Sequence, residues 1–221
     1  MSQPQATMAP VATGAAGQHD NLSHVQRRRK QFAGGSGVLM LFVLLFTQSV
    51  WSPDTMAHEG FEWVGYALIL ACIVGRTWCS LYIGGRKKQI LVQQGPYSLS
   101  RNPLYLFSVL GAAGVGFQAG SLITGLVLGL FVFALFSVVI AQEEVFLRDR
   151  FPAEFNSYAA AVPRWGPRFS AWRDAPEVMI RPRLVLVTFR DALWFLLAIP
   201  LLEGIELLQE SGWLPVLLQL P

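Results

Sequence analysis

The chain has 221 residues, of which 53% are hydrophobic and only 14% are charged, with a formal net charge of +3. A soluble domain typically has about 25% charged residues, so this composition excludes a soluble enzyme. The mean hydropathy is +0.43, and aromatic residues make up 12% of the chain, which also excludes disorder over most of its length. The length fits one domain or two.

The apolar residues come in blocks that have the length of membrane-spanning helices, which need about 20 residues each. In chain order these blocks are residues 32–51, residues 61–83, the two halves of residues 104–140, and residues 184–202. The block 104–140 contains no charged residue and turns near residues 118–121, so it predicts two helices. The sequence therefore predicts an all-α integral membrane protein with five transmembrane helices and a helical cap on the cytoplasmic side.

We divide the chain into four parts from these blocks. Residues 1–31 are rich in Ala, Gln, Gly and Pro and end in a basic run, so they predict a disordered tail. Residues 32–83 contain the first two transmembrane helices. Residues 84–183 form a core with two further helices and the cap, which we expect to consist of residues 84–103 and 142–183. Residues 184–221 contain the fifth helix and a C-terminal tail.

Basic residues predict the orientation in the membrane. Lys and Arg lie before the first block, between the second and third, and between the fourth and fifth, while the other connections contain none. The positive-inside rule then places the N-terminus and the cap in the cytoplasm and the C-terminus outside. Arg supplies 14 of the 17 basic residues, which is common in GC-rich bacteria, and we expect a bacterial inner membrane.

Several other kinds of site and segment can be set aside. Cys72 and Cys79 are about 10.5 Å apart along one helix, too far for a disulfide, and no His stands at ligand spacing from them. We therefore expect no metal site. Nucleic-acid binding is also not expected, because the basic residues mark topology and have no soluble face. Arg27 and Arg28 resemble a twin-arginine signal, but no small-x-small cleavage site follows, so we expect a retained helix.

The stretch 89–105 is one of two places where the sequence suggests a binding site. Gly95 and Pro96 mark a turn, and Pro103 suits the first turn of a helix with Asn102 as a possible N-cap. A helix start presents free N–H groups and a partial positive charge, which Arg101 increases, so it can receive a carboxylate or phosphate. An ordinary helix entrance at the membrane boundary would also have this composition.

The second place is Glu143-Glu144, expected at the cytoplasmic end of the fourth helix. Carboxylates at a bilayer edge are costly unless they are paired. One of them is therefore expected to meet a cation, either Arg101 or the ammonium of a ligand. The plainer alternative is that the helix continues into water and Glu144 pairs with Arg148 four residues later.

Four motifs follow one another through these two places. They are Gly95-Pro96-Tyr97, Arg101-Asn102-Pro103-Leu104-Tyr105, the stretch from Glu143-Glu144 to Tyr158, and Val162-Pro163. In order and spacing they resemble the C-terminal half of the isoprenylcysteine carboxyl methyltransferases and the wider group that includes the phospholipid N-methyltransferases. The resemblance covers about residues 82–167. It implies a membrane methyltransferase that binds S-adenosylmethionine and takes a lipid-like or isoprenoid acceptor from the bilayer.

The resemblance also implies roles for individual residues. From the chemistry of methyl transfer, we expect the catalytic residues to be Arg101, beside the cofactor carboxylate and the acceptor entrance, and Glu144, a candidate base for a protonated amine acceptor. The implied cofactor-binding residues are Gln89, Leu91, Val92, Tyr97, Asn102, Pro103, Tyr105 and Glu143. Among these, Glu143 would meet the ammonium of the cofactor, while Leu91, Val92 and Tyr97 would form an apolar wall for its adenine.

The chain departs from the family pattern at three positions and leaves two other functions open. Asn102 stands at a usual His, Phe107 at an expected glycine, and Val139 at a substrate-binding Arg of the eukaryotic enzymes. Membrane steroid and enone reductases have a similar helix arrangement and use NADPH, which makes such a reductase the first alternative. A non-catalytic membrane scaffold is the second. Membrane lipids are the expected surroundings in all three cases.

Overall fold

The computed structural model describes residues 42, 44–53, 55–84 and 90–221. The described part is mostly helical, and its elements in chain order are β1 (Thr47–Ser49), α1 (Met56–Ile83), α2 (Pro96–Leu99), α3 (Pro103–Phe117), α4 (Leu122–Arg150), α5 (Pro152–Ala161), a 3₁₀ turn (Phe169–Ala171), α6 (Pro182–Leu193), α7 (Ala198–Glu210) and β2 (Leu218–Leu220). The predicted tail 1–31 and most of the first predicted span lie outside the described residues.

Three segments of the described chain are long and apolar enough to cross a membrane. They are Met56–Ile83, Leu122–Arg150 and Pro182–Glu210. The apolar helix α3 is shorter, with 15 residues and a length of about 22 Å. A mostly helical protein with membrane-spanning helices is therefore confirmed. The count of five spans stays a prediction, because the first block is largely undescribed and α3 falls short of the usual span length.

Three predicted boundaries are wrong. The helix α1 begins at Met56 rather than at residue 61, because Thr55 caps it by accepting a hydrogen bond from the His58 amide. The helix α4 continues past residue 140 to Arg150, so Glu143 and Glu144 lie inside a helix and not at its end. Residues 47–49, predicted at the end of the first span, form strand β1, which pairs in parallel with β2.

The elements define two ends of the helix group, which we call the sheet end and the cap end. At the sheet end, β1 and β2 meet the turn between α3 and α4, where Ser49 donates to the Gly120 carbonyl and Ser121 to the Pro221 carbonyl. This turn confirms the predicted break near residues 118–121. At the cap end, Gly84 lies beside Leu184, where α1 ends and α6 begins. The cap end therefore gathers the ends of α1 and α4 and the starts of α3 and α6.

Small residues allow α1, α3 and α4 to approach closely. A methyl group added to Gly65 of α1 would lie 2.8 Å from the Gly114 carbonyl oxygen of α3. A methyl group on Gly116 of α3 would lie 2.6 Å from the Thr124 carbonyl oxygen and 2.7 Å from the Gly125 Cα atom of α4. Backbones meet here without intervening side chains, which is typical of helix packing in membranes, where lipid gives no hydrophobic drive for helix association.

The break between α6 and α7 has a proline as its cause. Pro200 has no N–H to donate to the carbonyl of residue 196, and its ring crowds that carbonyl. The chain responds with hydrogen bonds between residues three apart, such as Phe195 to Ala192 and Ile199 to Leu196, before α7 resumes regular winding. The predicted fifth span is therefore two helices in sequence that extend to Glu210, eight residues beyond its predicted end.

We expect Gly116→Ala to lower the free energy of unfolding by about 1–3 kcal/mol, because the added methyl group meets backbone atoms that cannot turn aside. Gly60→Ala is the matched control, since Gly60 lies in α1 with no neighbour within 4 Å and should stay neutral or gain about 0.5–1 kcal/mol. Thermal unfolding in detergent measures both. Equal melting temperatures for the two variants would contradict close packing of α3 on α4.

Candidate active site

The cap consists of two chain segments, residues 90–101 and 152–174, that run alongside one another at the cap end. Three backbone hydrogen bonds join them: the Gly95 amide donates to the Arg173 carbonyl at 2.8 Å, Arg168 to Leu99 at 2.9 Å, and Arg101 to Pro163 at 2.9 Å. Only α2 and α5 within these segments are α-helical, so the predicted helical cap is to a large extent irregular chain.

Gly95 makes the turn that brings the cap onto α1. Its φ is +58°, a conformation that side chains disfavour, and an added Cβ would lie 2.3 Å from the Tyr82 ring. Tyr82 donates from its hydroxyl to the Asp174 carboxylate at 2.8 Å. The Gly95-Pro96 turn of the sequence is therefore confirmed, and it places α2 under the last residues of α1.

Glu144 lies between two arginines, and we call these three residues the Glu144 cluster. Arg101 donates from Nε to Glu144 Oε1 at 3.0 Å, and Arg164 donates to Oε2 from Nε at 3.0 Å and from Nη2 at 2.6 Å. The predicted meeting of a carboxylate with Arg101 is thus confirmed. Arg148, the alternative partner, instead places its guanidinium over the Phe155 ring at 5.6 Å.

Two of the three side chains in the Glu144 cluster are largely buried, and the cluster connects several elements of the fold. The side chains of Glu144 and Arg101 are 7% and 12% exposed, whereas that of Arg164 is 46% exposed. Arg101 also donates from Nη1 to the carbonyls of Ala159 and Val162 at 2.8 and 3.0 Å, which lie in the last turn of α5 and at its C-cap. A cation is favourable at a helix C-terminus, so Arg101 ties both α4 and α5 to the start of α3.

Protonation states in the cluster follow from these contacts. The hydrogen bond to Glu144 and its negative charge raise the pKa of Arg164 above its usual value, so this guanidinium stays charged. Burial raises the pKa of Tyr158, an effect that Arg101 opposes and Glu144 adds to. Its phenol therefore stays protonated and donates to the Tyr97 carbonyl at 2.6 Å.

Tyr97 has Tyr105 and Glu143 as neighbours at the cap end. Burial raises the pKa of Tyr97 well above its usual value, and the neighbouring Cys79, Tyr158, Tyr105 and Glu143 raise it further. Tyr105 is buried in α3 and its ring lies 4.8 Å from that of Phe136 in α4. Two of the other predicted cofactor residues, Tyr105 and Glu143, thus lie within electrostatic reach of Tyr97.

The structure describes four of the other five predicted cofactor residues. Pro103 is buried at the start of α3, Val92 is half-buried, and Leu91 packs against Phe155 and Tyr158. Asn102 occupies the predicted N-cap position of α3, but its side chain donates to the Arg164 carbonyl at 3.2 Å and makes no capping hydrogen bond. The family resemblance also implies a strand-like segment at residues 89–92. Residues 90–92 are irregular chain instead, and Gln89 lies outside the described residues.

The catalytic roles predicted for Arg101 and Glu144 stay predictions. Both Glu144 oxygens accept hydrogen bonds from guanidinium groups, and Arg101 donates to Glu144 in α4 and to two carbonyls in the cap. Such contacts hold the start of α3 against α4 and α5 and thereby position the site. Phe107, at the expected glycine, turns toward Gly75 of α1, whose added Cβ would lie 2.2 Å from its ring.

A cavity of about 440 Å³ opens between the two cap segments. Ser98, Tyr158, Arg168 and Arg173 contribute to its walls. The predicted cofactor residues do not line it, although Tyr158 separates it from Tyr97. This cavity and the group formed by Tyr97, Tyr105 and Glu143 are two distinct places in the described part of the chain.

Sequence reasoning did not single out Arg164 or the hydrogen bond from Tyr158 to Tyr97. Arg164 follows Val162-Pro163, the last quoted motif, directly in sequence. Two adjacent glutamates near a membrane boundary need counter-charges. An Arg that directly follows the same series of motifs could therefore have been predicted as a partner. Tyr158 could not be assigned in this way, since its acceptor is a backbone carbonyl 61 residues away.

Comparison with known proteins identifies the family of this chain. The family model for phospholipid methyltransferases matches residues 62–154, which include Tyr97, Arg101, Glu143 and Glu144. The chain belongs to this family of membrane methyltransferases. No solved structure matches the chain.

Two known proteins are similar to this chain over most of their length. The chain is 33% identical over 183 residues to the nickel-cobalt-cadmium resistance protein NccN of Alcaligenes xylosoxydans xylosoxydans. This alignment covers 83% of this chain and 85% of NccN. The chain is also 36% identical over 178 residues to the cobalt-zinc-cadmium resistance protein CzcN of Cupriavidus metallidurans. That alignment covers 79% of this chain and 82% of CzcN. The similarity therefore extends well beyond the family model.

We expect Glu144→Gln to lower the free energy of unfolding by about 3 kcal/mol, because it leaves the buried Arg101 charge without its partner. The matched control is Glu154→Gln, an exposed carboxylate in the first turn of α5 whose loss should cost less than about 0.5 kcal/mol. Thermal unfolding in detergent gives both values. A Glu144→Gln variant as stable as the control would show that the cluster does not hold the cap.

Proposed function

We propose that the chain is an integral-membrane methyltransferase that uses S-adenosylmethionine to methylate a lipid-like or isoprenoid acceptor. The observation that carries the proposal is the convergence of Tyr97, Tyr105 and Glu143 at the cap end, in a member of a methyltransferase family. These residues come from three separate elements, α2, α3 and α4. A half-buried carboxylate near a buried tyrosine in such a family is suited to receive the ammonium group of a cofactor.

The residues present fit the cofactor in their chemistry. S-adenosylmethionine has an ammonium, a carboxylate and an adenine, and when bound it supplies an electrophilic methyl group on sulfur. Glu143 would bind the ammonium, and Tyr97 with Leu91 and Val92 would form the apolar wall. The start of α3 at Asn102, Pro103 and Tyr105 would face the carboxylate, as helix starts favour anions. Gln89 would join this group from the preceding segment.

The protein contributes positioning more than acid–base chemistry to such a transfer. Methyl transfer from a sulfonium is in-line and discharges the donor, so holding the two reactants in line is the main requirement. Arg101 and Glu144 serve this by fixing the start of α3 against α4 and α5. A carboxylate acceptor needs no base, whereas a protonated amine does, and Glu144 is the proposed base for that case.

The acceptor would come from the bilayer on the cap side. The described arginines that follow the end of α4, such as Arg168, Arg173 and Arg181, lie beside the cap, whereas Glu203, Glu206 and Glu210 lie on α7 toward the sheet end. By the positive-inside rule we propose that the cap faces the cytoplasm, that the N-terminus is cytoplasmic, and that the membrane is a bacterial inner membrane. Membrane lipids are then both surroundings and acceptor source.

We expect the purified protein to bind S-adenosylhomocysteine and not NADPH in calorimetric titrations. Binding of NADPH alone would favour a steroid or enone reductase, and binding of neither would favour a membrane scaffold. Glu143→Gln should weaken S-adenosylhomocysteine binding by about 1.5–3 kcal/mol, the usual scale for a lost charge-assisted hydrogen bond.

The control for Glu143→Gln is Glu154→Gln, which removes an exposed carboxylate from the neighbouring helix and should bind as wild type. Glu144→Gln should spare cofactor affinity in the fraction that remains folded and lower turnover. If Glu143→Gln binds as tightly as wild type, Glu143 is not the cofactor carboxylate.

The names of the two relatives suggest a physiological setting. Both refer to resistance to cobalt, cadmium and a further divalent metal. We propose that methylation by this chain contributes to metal tolerance in its own cell. Expression in a metal-sensitive bacterium should raise growth in cobalt or cadmium, and Glu143→Gln should abolish the gain at equal protein levels. Equal growth with both variants would contradict a catalytic contribution.

A further inference from the structure

Arg76 is a cation in a membrane-spanning helix that has no acidic partner in the described part of the chain. It lies in α1, seven residues before the helix ends at Ile83, which is about 10 Å along the axis from the cap end. Its guanidinium donates from Nη1 to the Ser108 hydroxyl of α3. None of the ion pairs among described residues includes Arg76.

Within the described part of the chain, the rest of this guanidinium has no acceptor and can bind a ligand. Nε is buried without an acceptor, and Nη2 makes no hydrogen bond to any described residue. Nε and Nη2 form one edge of the planar guanidinium and can donate two parallel hydrogen bonds to a carboxylate or a phosphate. An uncompensated charge at membrane depth is costly, and charged residues in spans usually pair or serve a substrate path.

Arg76 lies on the membrane side of the candidate active site. Ser108, its partner, follows Tyr105 by three residues and therefore lies near the same face of α3. Cys79, one turn beyond Arg76 on α1, is within electrostatic reach of both Arg76 and Tyr97. The guanidinium is therefore placed below the group formed by Tyr97, Tyr105 and Glu143, between α1 and α3.

We propose that Arg76 binds an anionic group, a carboxylate or a phosphate, on the amphiphilic acceptor as it enters from the bilayer. The proposal rests on the proposed function for the word acceptor, but the anion site itself is a property of the protein alone. Arg76 is a specificity-determining residue in this view: it selects lipids with an acid group near the head and rejects neutral ones. The apolar tail of a lipid would carry such an acid group into the bilayer as far as Arg76. A water-soluble cofactor has no need of an anion site inside a membrane-spanning helix.

The test compares amphiphiles that differ only in their head group. The full-length protein in a neutral maltoside detergent is titrated with decyl phosphate, decanoate and decanol, and binding is followed by the rise in melting temperature. We expect at least one acid to bind about tenfold more tightly than decanol, the scale of a charge-assisted hydrogen-bonded pair. The difference between phosphate and carboxylate identifies the preferred acid.

Two variants and one control locate the effect. Arg76→Gln should bring the acids to the affinity of decanol, and Arg76→Lys, which keeps the charge but loses the two-donor edge, should retain part of the preference and the fold. The control is Arg190→Gln, which removes an exposed arginine from α6 and should leave the preference intact. Wild-type protein that treats all three amphiphiles alike, or Arg76→Gln that still prefers an acid, would overturn the proposal.

The same variants separate this proposal from the proposed function. S-adenosylhomocysteine affinity should change less than about twofold in Arg76→Gln, since Glu143 and the start of α3 are untouched. A large loss of that affinity would mean that Arg76 serves the cofactor carboxylate, and the acceptor site would be wrong. If wild-type protein binds no S-adenosylhomocysteine yet distinguishes the acids through Arg76, the methyltransferase proposal fails and the anion site stands.

Discussion

The Glu144 carboxylate, held between the guanidinium groups of Arg101 and Arg164, is the interaction on which the cap end depends. Arg101 stands at the start of α3, Glu144 lies in α4, and Arg164 follows α5 in the irregular chain of the cap. A carboxylate and a guanidinium that are both largely buried stabilise a fold only when each remaining donor and acceptor is satisfied. Arg101 contributes to this condition by donating from Nη1 to two carbonyls at the end of α5.

The position of the candidate active site follows from this cluster. Glu143 precedes Glu144 by one residue, about 100° of helix, so fixing Glu144 toward the cap turns Glu143 to a different side. On that side lie Tyr97 and Tyr105. Tyr97 is itself held by Tyr158, whose hydroxyl donates to its carbonyl. One glutamate thus supports the cap while its neighbour is presented to the site, which assigns different work to two chemically identical residues.

The arginines at this end of the molecule differ in how completely their guanidinium groups are paired. Arg101 donates to the Glu144 carboxylate and to two backbone carbonyls, and Arg164 shares Glu144 while remaining half exposed to solvent. Among the described residues Arg76 has only the Ser108 hydroxyl as a partner, and it lies in a helix long and apolar enough to cross a membrane. A protein surrounded by lipid cannot hydrate such a charge from its surface, so a buried, incompletely paired guanidinium indicates where a ligand with the opposite charge completes the set.

The sequence by itself determined the membrane class, the helix turn at residues 118–121, the Gly95-Pro96 turn, and the family. Each depends on local information: block length, charge distribution, turn residues, and motif spacing. It misplaced the end of α4, because an apolar block ends where charges begin whereas a helix ends only where its hydrogen bonds stop. It also missed strand β1, since the partner of Thr47–Ser49 lies at the far end of the chain.

Tertiary structure decided which charges meet. Glu144 had Arg148 at the spacing that stabilises a helix, yet it pairs with Arg101 and Arg164, which are 43 and 20 residues away. Likewise Asn102 has the sequence of an N-cap but turns to the Arg164 carbonyl. Local spacing fixes which partners are near along one helix. The choice among them depends on which contact also closes the cap and satisfies the backbone carbonyls of α5, and that is a property of the packed elements together.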